Sequence, residues 1–313
     1  MFKLLALIAV AALCAWVYVD YRRDIDRARA ELLAGSRIAQ TACGPIEYAS
    51  LGEGPPVLLV HGAGGGYDQG LAIGGPLARE GFRVIAMSRF GYLRTPLPAD
   101  ASAAAQADAH ACLLDALGIE RAAIMGASAG APSALQFALR HPQRCAALVL
   151  LVPAIFVPRR DGAPPVTTPP GTRFLFDTAL RSDFLFWAGI KLARAAMIRA
   201  LLATPPEVVA NADPGEQRRV DAILRQILPV SPRRLGLLND AAVTSTLPRY
   251  PLDQVAVPTL AISLADDLFG TYDGARYTAA QVPGARFIGY PTGGHVGVGH
   301  ERDFVLAIAS FLR

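Results

Sequence analysis

Lysine is almost missing from this chain of 313 residues: Lys3 and Lys191 are the only two. Charged residues make up 18% of the sequence, and the formal charge of +4 is carried by arginines scattered among Asp and Glu. With no block of like charge and no interleaving of basic and aromatic residues, the chain presents no nucleic-acid face. Cysteine is scarce too. Cys14, Cys43, Cys112 and Cys145 form no CxxC spacing, and Cys14 lies in an apolar segment, which leaves an odd thiol among the rest. That pattern supports neither a metal site nor a disulfide framework, so buried free thiols are expected. What is abundant is apolar: 52% of residues are hydrophobic, enough for one large domain, or one domain with an insertion, and too many for a disordered chain.

The N-terminus holds an uncharged run from residue 4 to residue 19, preceded by Lys3. As a helix it would span roughly 24 Å, a little under the roughly 30 Å of a bilayer core. Lys3 can snorkel to one surface, and Trp16, Tyr18 and Tyr21 cluster where an interfacial belt would lie. The rival is a cleaved signal peptide, but Ala12-Leu13-Cys14 is a poor small-x-small site with no polar region before it. Residues 1–19 are therefore read as a single-pass membrane anchor. The side on which the body lies stays open; Arg22, Arg23, Arg27 and Arg29 lean it toward the cytoplasm. Residues 20–36 read as a separate short helix stopped at Gly35.

Beyond it the chain alternates. A hairpin turning near Cys43-Gly44-Pro45 leads to the strand PVLLV, a helix over 71–80, the strand FRVIAM and an alanine-rich helix over 102–117. The strand AAIM, a helix over 129–141 and a buried-type strand over 145–152 follow. Strands alternating with helices predict an α/β fold, a mostly parallel sheet covered on both faces. The rhythm breaks at Pro153. Residues 154–247 are Pro-rich and then helical, with no convincing strand, and TLAIS, a helix over 275–281, RFIGY and a helix from Asp303 resume the pattern. The expected organisation is a core over 37–153 and 248–313 interrupted by a helical insertion.

Residues 125–130 read MGASAG. A nucleophile at a strand end must turn sharply into the next helix to expose its hydroxyl, and small neighbours such as Gly126 and Gly130 relieve the crowding. Ser128 is the candidate nucleophile. The N–H of Ala129, at a helix N-terminus, is a candidate oxyanion donor. The glycine-rich loop of PVLLVHGAGGG lacks the GK[ST] of a P-loop and does not give GxGxxG, so Ala63 N–H is read as a second donor and His61 as a ring that holds the loop.

The serine needs a base. His110 and His141 read as packing or cap residues. His295, in YPTGGHVGVGH after a late strand, sits where parallel sheets gather active sites and is the candidate, with His300 a weaker one. The orienting carboxylate comes from SLADD: Asp267 is preferred and Asp266 is the second choice. No metal or organic cofactor is required.

With these residues in hand, the sequence resembles the α/β-hydrolase family over about 37–153 and 247–313. The resemblance rests on HGAGGG, SRFGYLRTP, GASAG, SLADD and GGH in the family's order and spacing. Ser88, Leu93 and Thr95 depart from the family's Asp-Arg-x-Gly-Tyr-Gly-x-Ser loop, and Leu264 stands where Gly is frequent. The resemblance implies an eight-stranded type of sheet with residues 154–247 as a cap after the sixth strand. A serine sets the chain apart from the related epoxide hydrolases and haloalkane dehalogenases, which use a carboxylate. The expected function is a membrane-anchored serine hydrolase cleaving carboxylic esters with apolar acyl or aryl parts. The alternatives are a carbon–carbon hydrolase of vinylogous diketones, marked by a cap arginine such as Arg173, Arg181 or Arg194, and a non-catalytic binding protein. Phe174, Phe176, Phe184, Phe186 and Trp187 either face substrate or pack the cap.

Overall fold

The short apolar runs between turn residues become adjacent strands because each must bury both faces. The computed structural model describes residues 2–158 and 180–313. It contains one eight-stranded sheet of β1 (Arg37–Thr41), β2 (Gly44–Leu51), β3 (Pro56–Val60), β4 (Arg83–Met87), β5 (Ala122–Ala127), β6 (Cys145–Leu151), β7 (Thr259–Leu264) and β8 (Arg286–Tyr290). The order is β1-β2-β4-β3-β5-β6-β7-β8. β2 pairs antiparallel with both neighbours and the rest of the sheet is parallel. β5 and β7 are buried at every position, as parallel central strands require, whereas the edge strand β1 is largely exposed.

The period of two divides the core into two layers. Leu58 and Val60 pack to one side with Ile85 and Met87, against α3 (Ala103–Ala116) and α4 (Ala131–Arg140). Val57 and Leu59 pack to the other with Val84, against α2 (Tyr67–Arg79) and the C-terminal helix. Ser102 caps α3 by accepting from Ala105 N–H at 3.2 Å.

Every described element between β6 and β7 is helical: α5 (Asp183–Leu192), α6 (Arg194–Leu201), α7 (Pro206–Ala210), α8 (Pro214–Gln226) and α9 (Arg234–Ser245), with two single 3-10 turns. These helices share an apolar cluster of their own built on Phe186, Trp187, Ile198, Val220 and Leu224. α10 (Thr271–Gln281) and α11 (Glu301–Leu312) complete the core. Arg173, Phe174 and Phe176 lie outside the described residues.

Two expectations change. Residues 1–19 and 20–36 were expected as separate helices, but α1 is one helix, Phe2–Ala34. No Gly or Pro interrupts it, and Arg22–Asp26 and Asp20–Arg23 pairs at 3.2 and 2.5 Å support the polar stretch. Cys43 and Cys112 are not free thiols; they form a disulfide that ties the β1–β2 turn to α3, with Cα atoms 6.0 Å apart. Their separation of 69 residues hid the pairing. Cys14 is free and exposed, and Cys145 is free and buried.

Candidate active site

Ser128 leaves β5 in a left-handed backbone conformation, φ +49°, and opens a single 3-10 turn, Ser128–Gly130, before α4. A non-glycine residue adopts that conformation at a cost of about 1–2 kcal/mol, which the surrounding packing must hold. Gly130 shows why its neighbours are small: a Cβ there would stand 2.4 Å from the Val60 carbonyl oxygen. At Gly126 a Cβ would stand 2.6 Å from that of Ala134.

The loop after β8 brings His295 over this turn. His295 Nε2 lies 2.9 Å from Ser128 Oγ, and Nδ1 lies 2.8 Å from Asp267 Oδ2. An ionised carboxylate accepts, so Nδ1 carries the proton and Nε2 is left to accept from the serine hydroxyl. The Asp267 side chain is fully buried and that of His295 is 10% exposed. Asp267 is held by Phe269 N–H, which donates to Oδ1 at 2.9 Å, and by a hydrogen bond from Thr271 Oγ1. The Phe269 ring meets the imidazole edge-on, with centroids 5.0 Å apart.

Asp266 does not reach the ring. It accepts from Gly293 N–H at 3.0 Å and Gly294 N–H at 2.8 Å, so it braces the loop that carries His295. Gly294 has φ +61°, and a Cβ there would meet Thr204 at 2.5 Å. His300 is the N-cap residue of α11, with Nδ1 3.3 Å from Asp303, and lies off the serine.

The glycine-rich loop after β3 lies beside the serine turn: a Cβ on Gly62 would stand 3.1 Å from that of Ser128. Ala63 and Ala129 line the same cavity as Ser128 and His295. Among the described residues neither of their backbone N–H groups is paired with an acceptor. Both are therefore available to an oxyanion. The loop is braced throughout. Gly62 N–H donates to Gln69 Oε1 at 2.8 Å, and Gly64 N–H donates to Tyr92 Oη at 3.2 Å. His61 is fully buried, accepts from Arg89 N–H at Nε2 and sits with Nδ1 2.7 Å from the Gly62 carbonyl. Burial and the Arg89 guanidinium hold its pKa well below 6.5, so it stays neutral and keeps one tautomer.

Residues that sequence reasoning missed join this loop to the cap. Arg89 pairs with Asp240 of α9 through both guanidinium ends, at 2.6 and 2.7 Å, and also donates to the His61 and Gly62 carbonyls. Tyr92 donates to Asp240; burial and that carboxylate raise its pKa well above 10, so it stays a phenol that can accept from Gly64 and donate to Asp240 at once. Arg233 is wholly buried and donates to the Gly65 carbonyl and to both oxygens of Asp68. SRFGYLRTP was the available signal for Arg89 and Tyr92; Asp240 and Arg233 carried none.

The cavity above Ser128 has a volume of about 1830 Å³. Phe186 and Trp187 line it and are buried, while Phe184 is 39% exposed. Arg194 lines it but is tied to Asp221 at 2.6 Å. Among the described residues no group of three or more His, Cys, Asp or Glu side chains is placed to hold a metal ion.

Comparison with known proteins extends the picture. A family model described as the alpha/beta hydrolase fold matches residues 55–299. The chain is 35% identical over 113 residues to a 2-hydroxy-6-oxo-6-phenylhexa-2,4-dienoate hydrolase of Comamonas testosteroni, a match spanning 34% of this chain and only 40% of that one. It is 31% identical over 251 residues to the RutD protein of Klebsiella pneumoniae, spanning 77% of this chain and 84% of the relative. Among solved structures, an alpha/beta hydrolase fold protein from Nakamurella multipartita superposes with a TM-score of 0.72 at 28% identity, covering 89% of this chain and 99% of that one.

Proposed function

This chain belongs to the alpha/beta hydrolase fold family, and we propose that it is a membrane-anchored serine hydrolase that cleaves carboxylic esters with apolar acyl or aryl parts through an acyl-enzyme. The observation that carries the reading is His295 hydrogen-bonded at once to Ser128 and Asp267. In this reading Ser128 Oγ attacks the ester carbonyl while His295 Nε2 takes its proton. Asp267 stabilises the imidazolium that forms. The carbonyl oxygen, now an anion, accepts from Ala63 and Ala129 N–H, each such donor being worth about 3–4 kcal/mol in the transition state. The imidazolium returns its proton to the departing alcohol. A water molecule, deprotonated by the same ring, then attacks the acyl carbon, and the carboxylic acid leaves with Ser128 restored.

The apolar walls of the cavity support an ester of apolar character. The N-terminal helix supports anchoring: an 18-residue stretch of it has a mean hydropathy of 2.2 and is not buried. A carbon–carbon hydrolase is the second reading, favoured by the resemblance to the dienoate hydrolase. It needs a cation free to hold the substrate carboxylate. Arg194 is committed to Asp221, Arg219 to Glu216, and Arg181 does not line the cavity, which leaves Arg27 and Arg225 to be tested.

Labelling with a serine-directed fluorophosphonate tests the proposal. The expected result is one adduct on Ser128, lost in Ser128→Ala, together with a fall of at least about a thousandfold in chromogenic ester turnover. No adduct on the folded protein would remove the hydrolase reading in favour of a binding protein. Turnover of a vinylogous diketone that exceeds ester turnover and falls in Arg27→Ala or Arg225→Ala would select the second reading.

A further inference from the structure

The polar half of α1 is bonded to the cap. Ile25 is 1% exposed within the cap cluster, and Val17 and Tyr21 pack against it. Lys191 Nζ lies 3.1 Å from both Asp20 and Asp24, Trp187 Nε1 donates to Asp24 at 2.9 Å, and Arg29 pairs with Asp183 at 2.9 Å. Tyr21 meets the rings of Phe184 and Trp187 edge-on, with centroids 5.2 and 5.6 Å away. These partners fix a direction. The start of α5 pairs with residue 29 and its end pairs with residue 20, so α5 runs antiparallel to α1. Its C-terminal end lies beside the place where the apolar run stops.

Two leucines of α5, Leu185 and Leu192, lie seven residues apart on one exposed face, with Gly189 between them close to Met197. Leu185 is 49% exposed and Leu192 is 86% exposed. Leu192 is at the end nearest Val19, where the exposed apolar surface of α1 begins. Leu192 and Val19 thus present exposed apolar side chains at the same level of the two antiparallel helices. Behind them runs the cavity. Ala28 and Leu32 of α1 and Trp187 and Ile190 of α5 line it together with Ser128 and His295. At about 1830 Å³ it exceeds the 300–1,000 Å³ typical of a pocket for a compact small molecule, which suits a long acyl chain.

We infer that the Leu185–Leu192 stripe of α5 lies in the surface of the lipid bilayer that α1 enters, and that the ester reaches Ser128 from that bilayer along the α1 side of the cavity. The substrate class is then a long-chain, lipid-like ester. This deepens the proposed function and rests on it for the chemistry, but the docking face can be read independently of turnover. The apolar run places α1 in lipid, the ion pairs hold α5 at the level where lipid ends, and burying two exposed leucines removes apolar surface from water.

The experiment uses the full chain in phosphatidylcholine vesicles. In a Cys14→Ser background, Leu192→Cys carries an environment-sensitive fluorophore, and Arg276→Cys, an exposed site on α10, serves as the reference. The expected result is a blue-shifted probe at 192 that is quenched by lipids with brominated acyl chains, and an unshifted probe at 276. In parallel, Leu185→Asp/Leu192→Asp should lower turnover of a chromogenic palmitate ester carried in the vesicles by at least about tenfold. It should leave turnover of the soluble acetate ester unchanged. A probe at 192 as wet as that at 276 overturns the inference, as does a palmitate rate indifferent to the double substitution. A shift that appears without lipid and grows with protein concentration assigns the stripe to a second copy of the chain and also overturns it. Failure of the ester chemistry is a different result: no acetate turnover above that of Ser128→Ala, whatever the probe reports.

Discussion

Asp266 and Asp267 are adjacent in sequence and hold three consecutive residues of one loop: Asp267 accepts from the His295 ring, and Asp266 accepts from the backbone N–H groups of Gly293 and Gly294. The division gives separable expectations. Asp267→Asn removes the charge that stabilises the imidazolium and permits the wrong tautomer, so kcat for a soluble ester should fall by about 10⁴. Asp266→Asn keeps one acceptor and replaces the other with a donor facing an N–H. It should lower kcat by about tenfold through misplacement of the ring, with KM little changed. Steady-state kinetics of the two variants check this, and equal losses would show that the two carboxylates have been assigned too sharply.

The Arg89–Asp240 pair should be costly to break from one side. Both side chains are 7% exposed, and Asp240→Ala leaves a buried guanidinium without its bidentate partner. Removing one member of such a pair costs about 3–5 kcal/mol. The expected readout is a fall in Tm on the order of 10 °C. A double Arg89→Met/Asp240→Leu variant should recover part of that loss. Tm values that simply add in the double variant would show that the two groups are not coupled.

Thiol counting checks the Cys43–Cys112 bridge. Denatured, unreduced protein should expose two thiols, from Cys14 and Cys145, and four after reduction. Replacing both bridged cysteines by serine should cost about 2–4 kcal/mol. Protein alkylated at lysis of the cells that make it should carry the bridge, an outcome that would put the body in an oxidising compartment, against the lean of the arginine count. Four thiols alkylated at lysis would return it to the cytoplasmic side.

Two buried histidines set a pH limit on stability. Burial pushes His110 down to about 3 and holds His61 well below 6.5. Below pH 6.5 the unfolded chain binds protons at these positions that the folded protein refuses. Their contribution is complete above pH 6.5 and is lost as the pH falls toward the folded values, by about 1.4 kcal/mol per pH unit for each ring. Denaturant melts should be level in this respect from pH 7.5 to 6.5 and show the slope from 6.5 to 5, and His110→Asn should show roughly half of it.

Strands, the serine turn and the place of His295 after a late strand were legible because each is a local pattern. An apolar run ends, small residues permit a sharp bend, and a helix follows, all within 10 or so residues of Ser128. Asp267 needed only the end of a late strand. What could not be read was set by partners distant in sequence. Asp240 and Arg233 look like ordinary charges on helical stretches; only folding places them against Arg89 and Asp68, 151 and 165 residues away. Cys43 and Cys112 lacked any spacing signal for the same reason. The break expected near residue 20 marked a change of composition, and a backbone without Gly or Pro carried the helix through it.

The buried bridges from Arg89 to Asp240 and from Arg233 to Asp68 also bear on traffic. A cap that swung back like a clamshell would have to tear both apart, and with them the backbone bonds from Leu93 to Pro232 and from Gly236 to Gly91. The same motion would drag on the loop that offers Ala63. The molecule is thus built with its roof riveted beside the glycine-rich loop, and reactants must pass by a side door whose jambs are helices, with no hinge required.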